Sequence, residues 1–181
     1  MKPTPDQFTA AIDAPAMLAT TRAWSAINTG TANLDGLAKQ AALLADAFSA
    51  LPGEIELVDP APVTVVAPDG REVEKPHGRH LVLRVRPQAN RRILLTGHMD
   101  TVFPADHPFQ SQQWLDGDTL NGPGVADMKG GIAVMLHALK AAEQSGSIGA
   151  LGYDVMINSD EETGSLASAA LIAELAQGKF A

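Results

Sequence analysis

Leu94-Leu95-Thr96-Gly97-His98-Met99-Asp100, Gly122-Pro123-Gly124-Val125-Ala126-Asp127-Met128-Lys129-Gly130-Gly131 and Ile157-Asn158-Ser159-Asp160-Glu161-Glu162-Thr163 are pieces of one stretch, 94–163, whose reading decides the fold. Ile93–Gly97 is a short apolar run closed by glycine and a polar cluster, and Tyr153–Ser159 ends in the same way, so both read as buried strands. Between them, Met128–Ala142 carries apolar residues at 132, 135, 136 and 139, the spacing of one helical face. The unit is strand, long loop, helix, strand. Crossovers of that kind are nearly always right-handed and leave their two strands parallel.

Parallel strands end on the same edge, and the helix that returns between them starts near it. His98, Asp100, Asp127, Asp160, Glu161 and Glu162 are therefore expected along one rim. Carboxylates gathered in a partly dry site repel one another unless a cation sits among them. A divalent metal is the simplest such cation. Histidine with carboxylates suits zinc, with manganese or cobalt as substitutes.

Composition agrees with a packed α/β chain. Its 181 residues are 45% hydrophobic, enough for a sizeable core in one domain. Lys and Arg number 13 against 21 Asp and Glu, a net charge of −8 that argues against nucleic acid or an anionic membrane surface as partner. The start of the chain lacks the apolar core of a signal peptide, no run approaches spanning length, and a cytoplasmic address is the default expectation. Without cysteine, any metal is held by imidazole and carboxylate.

Outward from the central stretch, apolar positions Leu34, Leu37, Ala38, Ala41, Leu44, Ala45 and Phe48 predict a helix capped by Asn33 and lying on a sheet, preceded by a loop at 24–31. Strands are expected at 55–58, 63–66 and 80–85, with a turn at Pro68-Asp69-Gly70. Arg84, Arg86, Arg91 and Arg92 read as a solvated rim. The long loop 100–123 is expected to shape a pocket and to hold a small hairpin about Asp116-Gly117, and a last helix is expected from about Ser165 to Ala176.

Each piece also has a plainer reading. His98-Met99-Asp100 can cap a loop, or Asp100 can accept the second ring N–H of His98 and orient it toward a metal. Gly122-Pro123-Gly124 before a helix resembles a phosphate cradle, but the fixed charge of Asp127 opposes that use and the spacing lacks the remaining residues of a nucleotide loop. Asp127 reads as a cap or as a carboxylate bridging two cations. Adjacent glutamates at a strand end point different ways, so one can bind metal while the other serves as a general base. His77, His80, His107 and His137 read as surface or packing residues.

Thr-Gly-His-Met-Asp-Thr-Val-Phe-Pro (96–104), Asn-Gly-Pro-Gly-Val-Ala-Asp-Met-Lys-Gly-Gly (121–131) and Ser-Asp-Glu-Glu-Thr-Gly-Ser (159–165), in this order, resemble the zinc-dependent exopeptidases and amidohydrolases that include glutamate carboxypeptidase, aminoacylase, acetylornithine deacetylase and succinyl-diaminopimelate desuccinylase. The carboxypeptidase G-like branch is nearest in texture, including Asn-Leu-Asp-Gly-Leu-Ala at 33–38. The resemblance implies an α/β fold with a central mixed, largely parallel sheet flanked by helices. It implies two zinc ions, with His98 on one, Asp127 bridging and Glu162 on the other. Asp100 would orient His98, Glu161 would be the general base, and a cis peptide would follow Asp127. The family also carries a later acidic ligand, a late histidine and an inserted dimerisation domain. The expectation is therefore that 1–181 is the N-terminal portion of a single metallohydrolase catalytic domain, truncated on its C-terminal side, whose parent forms a homodimer through a domain absent here.

The function expected on this basis is zinc-dependent hydrolysis of amide bonds in small peptides or N-acyl amino acids. The alternative is a non-catalytic metal-binding or partner-binding fragment.

Overall fold

The computed structural model describes residues 9–180. Helix α1 (Ala14–Ser25) begins where the Asp13 carboxylate accepts the Ala16 N–H at 2.9 Å. Helix α2 (Leu34–Phe48) is capped by Asn33, whose side chain accepts from Gly36, and it buries Leu37, Ala41, Leu44 and Phe48 along one stripe, as its periodicity predicts, whereas Leu34 and Ala38 of the same periodicity stay exposed. Gly36 is required there, because a Cβ would lie 1.9 Å from the Asn28 carbonyl oxygen.

Four strands form the central sheet: β1 (Glu54–Val58), β4 (His80–Val85), β5 (Arg91–His98) and β8 (Leu151–Asn158), in the order β1-β4-β8-β5. Two small hairpins stand apart, β2 (Thr64–Val66) with β3 (Glu72–Glu74), and β6 (Gln113–Trp114) with β7 (Leu120–Asn121). The second is the hairpin expected about Asp116-Gly117. A five-residue turn at Val125–Lys129 leads into α3 (Gly130–Gln144). A short turn at Glu161–Thr163 follows β8, and α4 (Ala169–Ala176) is shorter than the helix expected from Ser165.

The sheet is mixed, as expected, but its parallel character is confined to one ladder, β5–β8; β1–β4 and β4–β8 are antiparallel. The reason lies in the connections. The short link 86–90 reverses the chain between β4 and β5, whereas the long crossover through α3 returns β8 parallel to β5, so β8 opposes β4. In the parallel register His98 lies beside Asn158, which brings the ends of β5 and β8 to the same edge.

Alternation along the strands sorts the core into two layers. Leu81, Leu83, Val85, Tyr153, Val155 and Ile157 face α1, α2 and α3, packing with Trp24, Phe48 and Ile132. Val82, Leu94 and Met156 face the other way, toward Leu175 of α4. No helix among the described residues is long and apolar enough to cross a membrane.

Candidate metal centre

The parallel pairing of β5 and β8, together with the turn before α3, assembles the site. His98 ends β5 and is 5% exposed. Its Nε2 lies 3.0 Å from Asp127 Oδ1 and 3.9 Å from Glu161 Oε2. One donor atom each from His98, Asp127 and Glu162 lie within 4.8 Å of one another. The three come from β5, from the turn leading into α3 and from the turn after β8, the pieces that sequence spacing placed on one rim.

Asp127 is 77% exposed at its side chain, and the Asp127–Met128 peptide is cis, as the resemblance implied. Gly124 has φ 69°, a left-handed conformation that glycine adopts without a side-chain clash, and it lets the chain turn from Pro123 into this segment. Glu162 has its carboxyl raised above the usual range, chiefly by burial; Asp127, Asp100 and Glu161 add to the rise and His98 opposes it. Burial alone would lower His98, but hydrogen bonding to Asp100 and Asp127, together with the charges of Asp100 and Glu161, outweighs it and lifts the imidazole to about 9. The surrounding carboxylates thus favour positive charge at this point of the fold.

Asp100 is fully buried beneath this cluster. Its carboxylate accepts the Thr31 hydroxyl at 2.8 Å and the Glu161 and Glu162 backbone N–H groups at 3.2 Å each. His98 Nδ1 lies 3.1 Å from the Asp100 carbonyl oxygen and 3.4 Å from Oδ1, so the other ring nitrogen faces Asp127. One buried acid therefore joins the end of β5, the loop between α1 and α2, and the turn carrying both glutamates.

Asp160 departs from expectation. It is fully buried and turned away from the cluster, accepting the Ala167 N–H at 2.7 Å, the Ser168 N–H at 3.3 Å and the Asn158 amide at 3.2 Å. Its charge is used to fold the 160–168 segment, because those backbone N–H groups have no strand or helix partner of their own.

Other supporting residues were not singled out by sequence reasoning. Lys129 is fully buried, donates from Nζ to the Trp24 and Ile27 carbonyls at 3.1 and 2.7 Å, and is pushed down to about 8 by burial. His80 is buried, as a packing residue should be, but its Nδ1 also accepts the Ser159 N–H at 3.3 Å next to Asp160. Thr31 lies in the loop that reads as mere punctuation. Nothing local in the sequence links it to Asp100, 69 residues away.

An imidazole and two carboxylates, converging from separate elements and backed by a buried acid, make a donor set that fits a divalent cation of the zinc type. Residues 94–181 match Peptidase family M20/M25/M40. Carboxypeptidase G2 of Pseudomonas sp. (strain RS-16) is 33% identical over 175 residues, an alignment covering 94% of this chain and 38% of that protein. Succinyl-diaminopimelate desuccinylase of Novosphingobium aromaticivorans is 35% identical over 100 residues, covering 53% of this chain and 24% of that protein. The fold is shared with human carnosine dipeptidase 1, with a TM-score of 0.72 at 21% identity, over 96% of this chain and 38% of that one. This chain therefore spans a little over a third of the length of carboxypeptidase G2, and its residues 94–181, which carry all three motifs, are similar to peptidase family M20/M25/M40.

Proposed function

We propose that the protein is a zinc-dependent hydrolase of amide bonds in small peptides or N-acyl amino acids, with residues 1–181 forming the N-terminal portion of its catalytic domain. The observation that carries this reading is the convergence of His98, Asp127 and Glu162 within 4.8 Å beside the half-exposed carboxylate of Glu161. Two zinc ions are proposed, with His98 on one, Asp127 bridging and Glu162 on the other. Bound there, the metal supplies Lewis acidity toward an amide carbonyl and acidifies water.

The protein's own groups divide the remaining work. Asp100 orients His98 and, through the Glu161 and Glu162 N–H groups, fixes the turn on which the two glutamates stand. Glu161 has its backbone tethered and its carboxylate 53% exposed at the edge of the cluster, which suits a group that exchanges protons with substrate. It takes a proton from the attacking water and returns it to the leaving amine nitrogen. Cobalt or manganese would serve in place of zinc.

The test uses the full-length gene product, assayed with zinc against dipeptides and N-acyl amino acids. Glu161→Gln is expected to abolish hydrolysis while zinc content is kept. Hydrolysis that survives Glu161→Gln would remove Glu161 from its role, and zinc binding with no turnover on any of these substrates would favour a metal-binding role without catalysis.

A further inference from the structure

Asn121-Gly122 is the one Asn-Gly pair among the five asparagines of the chain. Asn121 is exposed, ends the two-residue strand β7, and its carboxamide makes no hydrogen bond among the described residues. Gly122 has no side chain to shield its nitrogen. The other asparagines are held differently. Asn28 donates from Nδ2 to the Phe103 carbonyl and to Gln110 Oε1, each at 2.9 Å, and Asn33 accepts the Gly36 N–H at 3.1 Å. Asn158 is buried and donates to Asp160, Ser165 and Ser168. Asn90 is exposed too, but Arg91 after it carries a side chain and is paired with Leu151 in the central sheet. Little holds the backbone at Asn121, because β6 and β7 share only the pairs Gln113–Asn121 and Trp114–Leu120. A two-stranded hairpin is marginally stable by itself.

We propose that Asn121 is a site of spontaneous covalent modification in the folded protein, converting to aspartate and isoaspartate. The Gly122 nitrogen attacks Asn121 Cγ and gives up its proton as the new C–N bond forms, and the Cγ–Nδ2 bond breaks to release ammonia. One water then opens the five-membered imide at either carbonyl, with no change of oxidation state. Opening at Cγ leaves an ordinary aspartate; opening at the α-carbonyl leaves isoaspartate, with the main chain running through Cγ and one atom longer. Either product adds a negative charge six residues before Asp127. The longer chain has nowhere to go on its C-terminal side. A Cβ on Gly122 would already lie 3.0 Å from Gln112 Cγ, 3.1 Å from Val125 Cγ2 and 3.3 Å from Ser25 Oγ, and the Ser25 hydroxyl pins the Pro123 carbonyl at 2.7 Å. A displaced Gly122 draws its carbonyl away from the Val125 N–H, at 3.2 Å the first bond of the turn on which Asp127 stands. Isoaspartate at 121 thus loosens the metal segment. That consequence rests on the reading of Asp127 as a metal ligand; the conversion itself does not.

The test is peptide mapping by mass spectrometry of the full-length protein, aged at mildly alkaline pH in its native state and in urea. Asn121 is expected to convert ahead of every other asparagine, at a native rate within about tenfold of the rate in urea, as for a segment that opens locally at little cost. Asn121→Gln is expected to remove the product. Native Asn121 that stays intact, converts no faster than Asn90, or is protected far beyond tenfold relative to urea overturns the proposal. The isoaspartyl protein, separated by ion exchange, is then titrated with zinc against Asn121→Asp, which has the same charge on an ordinary backbone. Its zinc affinity is expected to be lower by about tenfold or more, the scale on which supports behind metal ligands act. Equal zinc affinity in the two would overturn the loosening while the modification site stands, and no zinc binding by the unmodified protein would remove the metal reading alone.

Discussion

Asp100 Oδ1 lies 3.4 Å from His98 Nδ1, while His98 Nε2 faces Asp127 at 3.0 Å, so a fully buried carboxylate decides which ring nitrogen looks into the cluster. Partners of this kind typically change metal affinity by about 10- to 100-fold. Asp100→Ala is expected to weaken zinc binding by that factor in a calorimetric titration. It should also lower stability by roughly 1–3 kcal/mol, because the Thr31 hydroxyl and two backbone N–H groups lose their acceptor. Zinc affinity unchanged in Asp100→Ala would leave the carboxylate a purely structural part.

Zinc should raise the thermal midpoint, and magnesium should not. A cation that binds the folded chain stabilises it by an amount set by its concentration over Kd, about 2.7 kcal/mol at a hundredfold excess over Kd. An imidazole among the donors suits zinc, whereas magnesium prefers oxygen ligands and keeps its water. His98→Ala is expected to abolish the zinc-induced shift. An equal rise with magnesium, or a full zinc shift in His98→Ala, would place the binding elsewhere.

The cluster of Arg86, Glu143 and Tyr153 gives a pH dependence whose sign is fixed. Burial alone would raise Glu143, but the Arg86 guanidinium and the Tyr153 hydroxyl, at 2.5 and 2.9 Å from Oε1, outweigh it and hold the carboxyl below its usual range. A lowered folded value means the contribution is fully present above the unfolded value of about 4.3 and is lost as pH falls through the folded one. Glu143→Gln should therefore cost about 1–3 kcal/mol in urea unfolding at pH 7. The gap between the two proteins should narrow below pH 4. A gap that stays constant from pH 7 to pH 3 would assign the loss to packing rather than to charge.

This cluster also shows how far the sequence could be read. Arg86 and Arg92 read as part of a solvated rim because they flank strand ends, yet they reach Glu143 and Asp154, 57 and 62 residues away. The α2 stripe with its Asn33 cap, the β5–α3–β8 crossover and the His98, Asp127 and Glu162 convergence were legible, since each follows from local period or from parallel strands ending on one edge. The β2–β3 hairpin was only half visible, because Glu72-Val73-Glu74 is short and fully exposed and carries little pattern. Asp160 was placed on the rim by adjacency to the glutamates. Its orientation depends on the unpaired Ala167 and Ser168 N–H groups, which only the folded segment reveals.

Lys129 gives the last prediction. Its ammonium joins the carbonyls of Trp24 and Ile27 to the segment that carries Asp127, so it ties the end of α1 and the loop bearing Thr31 to the start of α3. Lys129→Met keeps much of the buried volume but leaves the Ile27 carbonyl without its donor, while the Trp24 carbonyl keeps the Ile27 N–H, at an expected cost of about 1–3 kcal/mol. Because this tie anchors the loop whose Thr31 hydroxyl donates to Asp100, zinc affinity should fall along with stability, and amides at 26–31 should exchange faster. A Lys129→Met protein with parental stability and an equally protected 26–31 segment would show that packing alone holds the two elements together.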